Sequence, residues 1–237
     1  MVLGATGAIG TAVARRLHAE GASLLLVGRD AAKLRPLADE LGANHAVLPS
    51  AAAGAVATTL RAACPDGGVA GVAHCIGSLH LKAAHRSTEA EWLEVLEVNL
   101  SSAFGVTMAA PDLVTNGGTV VFVSSVAATL GLANHEAIAA AKAGLIGLAR
   151  SAAATHARRG IRFHCVAPAL VASQMTASLL ARPGVADAAA KQNPSGRIGA
   201  PDDVARAIGF LLDPTNTWLD GQVLGVDGGF GVLRPIA

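Results

Sequence analysis

Between Ser125 and Lys142 the chain runs S-V-A-A-T-L-G-L-A-N-H-E-A-I-A-A-A-K. A hydroxyl, an imidazole and a primary amine thus fall within a stretch whose second half is built of strong helix formers. Lys142 stands alone in A-A-A-K-A-G-L. An ammonium among residues suited to burial needs an acceptor, such as the sugar hydroxyl of a bound ligand. His135 comes seven residues earlier. Two helical turns are about 7.2 residues, so both side chains share nearly one helix face, about 10 Å apart. Histidine titrates near neutrality and serves as acid or base. Ile138 lies on that face between them, and the chain contains no tyrosine. A simpler reading makes His135 a polar residue at the helix start, with Asn134 as N-cap and Glu136 in the first turn.

Elements able to hold these groups alternate along the chain, short apolar runs with helix-length segments, as in parallel strands joined by crossover helices. Strands are predicted at Val2–Leu3, Ser23–Val27, His45–Leu48, Gly71–His74, Thr119–Ser124, Ile161–Val166 and Gln222–Val226. Helices are predicted at Ile9–Ala19, Ala31–Leu41, Ala55–Ala63, Glu91–Ala110 with a break toward Pro111, His135–Ala157 and Pro201–Leu212. Right-handed crossovers then give an α/β fold, a doubly wound seven-stranded parallel sheet with helices on both faces. The 237 residues suit a single domain, 1–237. The first strand is shorter than usual, and the expectation is that a few native residues precede Met1. The least patterned stretch, Ser173–Arg197, reads as a binding lid. Its Met175, Leu179, Leu180 and Val185 point to a moderately hydrophobic small molecule.

G-A-T-G-A-I-G, from Gly4 to Gly10, lies between a strand and a helix. There the backbone N–H groups and the helix N-terminus face a pyrophosphate, which makes Gly4, Thr6, Gly7, Ala8, Ile9 and Gly10 dinucleotide-binding candidates. The second strand ends in V-G-R-D. Arg29 is nearer that end than Asp30, and an arginine there suits a ribose 2′-phosphate, so NADP(H) is favoured over NAD(H).

Charge and cysteine content exclude other classes. A formal net charge of +1 offers no field for nucleic acid or an anionic membrane. Three widely spaced cysteines, Cys64, Cys75 and Cys165, form no C-x-x-C pair, which argues against disulfides and structural zinc and for a reducing compartment, the cytoplasm. His74, His80 and His85 lack a Cys or carboxylate at ligand spacing, so no metal is expected. The early glycine turn leaves no room for a signal peptide and no apolar run reaches membrane-spanning length, so a soluble protein is expected.

The strings G-A-T-G-A-I-G, V-N-L (Val98–Leu100), V-S-S (Val123–Ser125), A-A-A-K-A-G-L-I-G-L (Ala139–Leu148), V-A-P-A-L-V (Val166–Val171), G-R-I-G-A-P-D-D-V-A (Gly196–Ala205) and D-G-G (Asp227–Gly229) follow one another in order. Over nearly its full length the chain resembles the short-chain dehydrogenase/reductase family. The resemblance implies a catalytic set in which a tyrosine donates a proton to a substrate carbonyl while a nicotinamide delivers hydride. A lysine four residues later lowers the tyrosine pKa and binds ribose, a serine holds the carbonyl oxygen, and an asparagine helps fix a water relay. Lys142, Ser125 and Asn99 match that set, whereas Ile138 occupies the tyrosine position and has no proton to give. The resemblance also puts His74, Cys75, Gly77, Pro168 and Val171 along the cofactor, while His74, near the end of a buried strand, reads from its place as a hydrogen-bonded core or cofactor-wall residue rather than a catalyst. Departures are Ala8 in the turn, Ala51 where an acid normally meets adenine, H-C-I-G (His74–Gly77) for N-N-A-G, and Ala169 after Pro168. The segment from Asp227 through the tail Gly231–Ala237 resembles the family's subunit contact. With the Ala/Gly-rich helix faces, it implies a homodimer or homotetramer.

H-E-A-I-A-A-A-K and V-A-H-C-I-G also resemble the family's enoyl reductase branch, whose tyrosine precedes the lysine by seven residues. His135 then takes the proton-transfer position. Hydride addition to a conjugated alkene develops charge on an enolate oxygen, which needs stabilisation but not an immediate strong acid. A carbonyl or a conjugated alkene is the expected substrate. The competing reading is a catalytically silent nucleotide-binding protein, a sensor or structural subunit.

Overall fold

With five Phe, two Trp and a predominance of Ala, Val and Leu, the core leaves little bulk between layers, so helices can lie close on a sheet. The computed structural model describes residues 1–66 and 68–234. Its elements are β1 (Val2–Leu3), α1 (Ala8–Ala19), β2 (Leu25–Gly28), α2 (Ala31–Leu41), β3 (Asn44–Val47), α3 (Ala53–Ala63), β4 (Val69–His74), α4 (Glu89–Leu96), α5 (Ser102–Leu113), β5 (Val114–Val123), α6 (Glu136–His156), β6 (Arg162–Pro168), α7 (Ala177–Leu180), α8 (Val185–Gln192), α9 (Pro201–Leu212) and β7 (Val223–Val226). The seven strands form one parallel sheet in the order β3-β2-β1-β4-β5-β6-β7.

Alternation along the strands splits the core into two layers. Leu3, Val27 and Phe122 pack with Val56, Leu60, Val106 and Leu145 from α3, α5 and α6. Their neighbours Val2, Leu26 and Val121 pack on the other face with Val13, Leu34 and Ile208 from α1, α2 and α9. The doubly wound reading therefore holds. The strand order reverses direction beside β1, and a crevice opens there at the carboxyl ends of the strands.

Several local expectations change. The helix expected at Glu91–Ala110 is two helices, α4 and α5, joined by a π-helical turn at Glu97–Ser101, and Pro111 lies inside the last turn of α5 rather than beyond it. β5 begins at Val114 rather than Thr119, because Val69 pairs with Val114 before a register shift restores Gly71 opposite Thr119. His135, not Asn134, is the N-cap of α6, and Asn134 takes a left-handed φ of 62°. Ser173–Arg197 contains the short helices α7 and α8. Among the described residues, Glu136–Arg159 is long and apolar enough to cross a membrane by length and composition, against the expectation that no segment is. Its apolar face is already used: Leu145, Ala149 and Ala152 are buried in the core with Phe163 of β6. Of the tail Gly231–Ala237, residues 235–237 lie outside the described residues.

Candidate active site

The turn after β1 is set by what its glycines lack. Gly4 has a φ of 70°, where side chains are strained, and a Cβ there would stand 2.8 Å from the Cys75 carbonyl carbon. A Cβ on Gly10 would come 2.8 Å from the Gly4 carbonyl carbon. Helix α1 can therefore start tight against the turn. Its N-cap, Gly7, offers no side-chain cap, which leaves the first-turn N–H groups for an outside acceptor. This cradle fits a dinucleotide pyrophosphate. At the end of β2, Asp30 is spent on capping α2, its Oδ1 accepting from the Ala32 and Lys33 N–H groups at 2.9 and 3.3 Å. Arg29 beside it is exposed.

Beyond the turn lies a cleft of about 510 Å³, bordered by Ile9 of α1, by Cys75, Ile76, Gly77 and Ser78 after β4, by Ser124 and Ser125 after β5, by His135 at the N-cap of α6 with Ile138 and Lys142 within it, and by Pro168 at the end of β6 and Val171 beyond it. Leu170, Met175, Leu179, Ile198 and Phe230 close the far side. The cleft thus gathers catalytic and cofactor candidates from four strand ends under the 173–197 segment.

Lys142 is buried, and Nζ donates to the Val123 carbonyl at 2.8 Å. An ammonium has three protons to donate, and the other two have no acceptor among the described residues. A Cβ at Gly77 would sit 3.4 Å from Nζ, so glycine there keeps the amine's side open. Burial brings the Lys142 pKa down to about 8. Ser124 Oγ donates to the Lys142 carbonyl at 2.8 Å and ties the helix to the end of β5. Ser125 Oγ accepts from Ala127 N–H at 3.2 Å and reaches the Pro168 carbonyl at 3.5 Å.

One turn before Lys142, Ile138 is 4% exposed and packs with Val95, Ala137 and Ala141. His135 joins the cleft wall from the N-cap position. Its Nδ1 is 2.7 Å from the Ala133 carbonyl, so Nδ1 carries a proton and Nε2 is the atom left to exchange one. The same-face argument for His135 and Lys142 is thus amended: an N-cap residue has left the helical path, and the turn at Asn134 aims its ring.

Neither Asn99 nor His74 borders the cleft. Asn99 is fully buried and does not border the cleft; its amide holds Ser78, which does. His74, expected along the cofactor, is also fully buried, because it faces the α5 layer. Ser102 Oγ donates to the Val98 carbonyl at 2.7 Å, so it accepts from His74 Nε2 at 2.9 Å and leaves Nδ1 unprotonated. Burial, with the Lys142 charge adding to it, pushes the His74 pKa down to about 3. His74 is a neutral core residue. Cys75, next along, does face the cleft, its thiol pushed up to about 12 by burial. Among the described residues no three His, Cys, Asp or Glu converge.

Leu132, Ala133, Ile198 and Phe230 were not foreseen as cleft residues. They come from turns and a tail whose position no periodic pattern signals.

A family model described as enoyl-(acyl carrier protein) reductase matches residues 4–231. Galactitol 2-dehydrogenase (L-tagatose-forming) of Cereibacter sphaeroides is 34% identical, over 98% of this chain and 94% of its own. The 3-oxoacyl-(acyl-carrier-protein) reductase of Vibrio cholerae is 32% identical, over 98% of this chain and 97% of its own. The crystal structure of a Brucella melitensis short-chain dehydrogenase/reductase of glucose/ribitol dehydrogenase type superposes with a TM-score of 0.90 at 26% identity, covering 97% of this chain and 94% of that one. Fold, turn, cleft and these likenesses agree: the chain belongs to the short-chain dehydrogenase/reductase family of NAD(P)-dependent oxidoreductases.

Proposed function

We propose that the chain is an NADP(H)-dependent reductase of a neutral, moderately hydrophobic substrate, acting on an alkene conjugated with a carbonyl in preference to an isolated carbonyl. The observation that carries this reading is one apolar cleft shared by Ser125, His135 and Lys142, in which the residue one turn before the lysine is the alkyl group of Ile138. When bound, the cofactor supplies hydride. The Gly4–Gly10 turn and the start of α1 would hold its pyrophosphate, Lys142 would donate to its ribose hydroxyls, and Arg29 would meet the 2′-phosphate while Asp30 stays on α2. A hydride reaching the β-carbon would form a C–H bond there, shift the alkene π pair toward the carbonyl carbon and push the carbonyl π pair onto oxygen. Ser125 stabilises that oxygen by hydrogen bonding. His135 in its imidazolium form gives its Nε2 proton to the α-carbon, or water gives one, completing a two-electron reduction. An isolated ketone needs its proton on oxygen during the step, and Ile138 has none to give.

We also propose a single nucleotide-binding domain across 1–237, with 173–197 covering the substrate. It works as a homodimer or homotetramer in a reducing compartment, supported by the exposed Leu93, Phe104 and Met108 of α4 and α5 and by the free cysteines.

Purified protein with NADPH is expected to oxidise it faster with enones and enoyl thioesters than with ketones, quinones or imines. NADPH binding without oxidation across that panel overturns the reading in favour of the sensor that Ile138 also suits; binding of neither cofactor leaves a structural subunit. His135→Ala is expected to lower the chemical step about tenfold or more, and unchanged turnover would leave His135 a helix cap. Arg29→Ala is expected to weaken NADPH about tenfold in calorimetry and leave NADH unchanged, the loss of one charge-assisted contact. Equal effects on both cofactors would remove the basis for the NADP(H) preference.

A further inference from the structure

Four serine hydroxyls line the cleft among the described residues. Ser124 Oγ donates to the Lys142 carbonyl at 2.8 Å, and Ser173 Oγ lies 3.0 Å from Thr176 Oγ1, so both are engaged with protein groups. Ser125 Oγ has only a long approach to the Pro168 carbonyl, at 3.5 Å, which leaves its proton able to turn to the substrate. Ser78 differs. Its Oγ accepts from Asn99 Nδ2 at 2.9 Å, its backbone N–H donates to Asn99 Oδ1 at 3.0 Å, and its own hydroxyl proton has no acceptor among the described residues.

The amide behind it has no freedom. Asn99 is fully buried, and its remaining Nδ2 proton goes to the Val95 carbonyl at 3.0 Å. That bond fixes which end is nitrogen, since only N–H can pair with a carbonyl. The π-turn at Glu97–Ser101 carries Asn99 to this position, an irregularity often found at functional sites. With one lone pair of Ser78 Oγ taken by a fixed donor, the O–H is left free to donate to an acceptor in the cleft that Ser78 borders. A hydroxyl that already accepts one hydrogen bond is also polarised toward donating another.

We propose that Ser78, held by Asn99, is a second donor beside Ser125, giving its hydroxyl hydrogen bond to the carbonyl oxygen of the substrate and keeping that bond as charge develops there. This deepens, and rests on, the reductase reading above. Apart from Lys142, no lysine or arginine among the described residues borders the cleft, so the ligand class is a neutral carbonyl compound rather than a carboxylate or phosphate. The proton stays on Ser78 throughout; the electron pair arriving on oxygen is stabilised by hydrogen bonding, and the proton added to carbon comes from His135 or water. Asn99 is then a positioning residue for Ser78.

The test uses the NADP⁺-loaded full chain and 4-nitrophenol, whose phenolate mimics an enolate oxygen. Ser78→Ala is expected to weaken 4-nitrophenol about tenfold to hundredfold, the loss of a hydrogen bond to a charged acceptor, while NADP⁺ affinity changes less than about twofold. Ser78→Thr is expected to restore phenolate binding, because it returns the hydroxyl. With 2-cyclohexenone and NADPH, Ser78→Ala should lower kcat by a similar factor. The proposal is overturned if Ser78→Ala binds 4-nitrophenol like the parent, or if phenolate and NADP⁺ affinities and the melting temperature fall together and Ser78→Thr restores none, which would make Ser78 only a loop clamp. If the parent protein binds phenolate in a Ser78-dependent way yet oxidises no NADPH with the enone, the reductase reading fails while the oxygen contact stands.

Discussion

Ile138→Tyr is expected to raise NADPH-dependent reduction of a simple ketone such as cyclohexanone by about a hundredfold or more, the usual contribution of a positioned general acid. Residues four apart share a helix face, so a phenol at position 138 points into the cleft on the side that carries Lys142. An ammonium beside it favours the phenolate and lowers the phenol pKa, easing proton release to a substrate oxygen. Reduction of 2-cyclohexenone should change far less, because its limiting need is oxygen stabilisation and not a proton on oxygen. The replacement adds bulk where Ile138 is 4% exposed against Val95, Ala137 and Ala141. Overpacking of about 1–3 kcal/mol is expected, read as a melting temperature lowered by several degrees. Parallel rates on both substrates, with the melting curve, check this. Ketone turnover that stays flat in a folded variant would mean that the carbonyl does not approach position 138.

Lys142→Met is expected to weaken NADPH binding about tenfold to hundredfold, the range for hydrogen bonds from a charged donor. The same amine sets a pH dependence. Its pKa falls from 10.5 to about 8 because burial disfavours the charged form. Between those values the unfolded chain holds a proton that the ligand-free folded chain has released, so folding stability rises with pH across that window. Cofactor binding runs the opposite way. Ribose hydroxyls prefer the ammonium as donor, so NADPH affinity is fullest below about pH 8 and weakens about fivefold above it, the difference between charged and neutral hydrogen bonds. Calorimetry across pH should show this slope in the parent protein and not in Lys142→Met. A slope shared by both would assign it to another group.

Much of the site could be read before any coordinates. The Gly4–Gly10 turn, Arg29 and Asp30, Ser125 and Lys142 are local signals, since turn conformation, strand ends and a lone charge in an apolar helix leave marks within a few residues. His135 was visible as a candidate, but its N-cap geometry depends on the turn at Asn134. His74 could be read only as far as a core or cofactor-wall residue. Strand alternation sends His74 and Cys75 to opposite sides, but which one faces the cleft depends on what packs against β4, and Ser102 of α5 answers that. Asn99, expected to help fix a water relay, holds Ser78 across 21 positions of chain, a pairing that follows from the π-turn between α4 and α5. The helices of 173–197 were missed because four and eight residues are too short for a periodic pattern.

What the sequence determined by itself is therefore the order of the elements, the two-layer wrapping of a parallel sheet, the nucleotide turn and the absence of a tyrosine acid. Each follows from short-range rules of backbone sterics, apolar period and residue chemistry. Only the tertiary structure decided which polar groups are spent inside the protein and which still have a proton to offer the cleft. Hydrogen-bond satisfaction is settled between distant segments, and it made His74 a core residue, Asn99 an orienter and Ser78 the open donor.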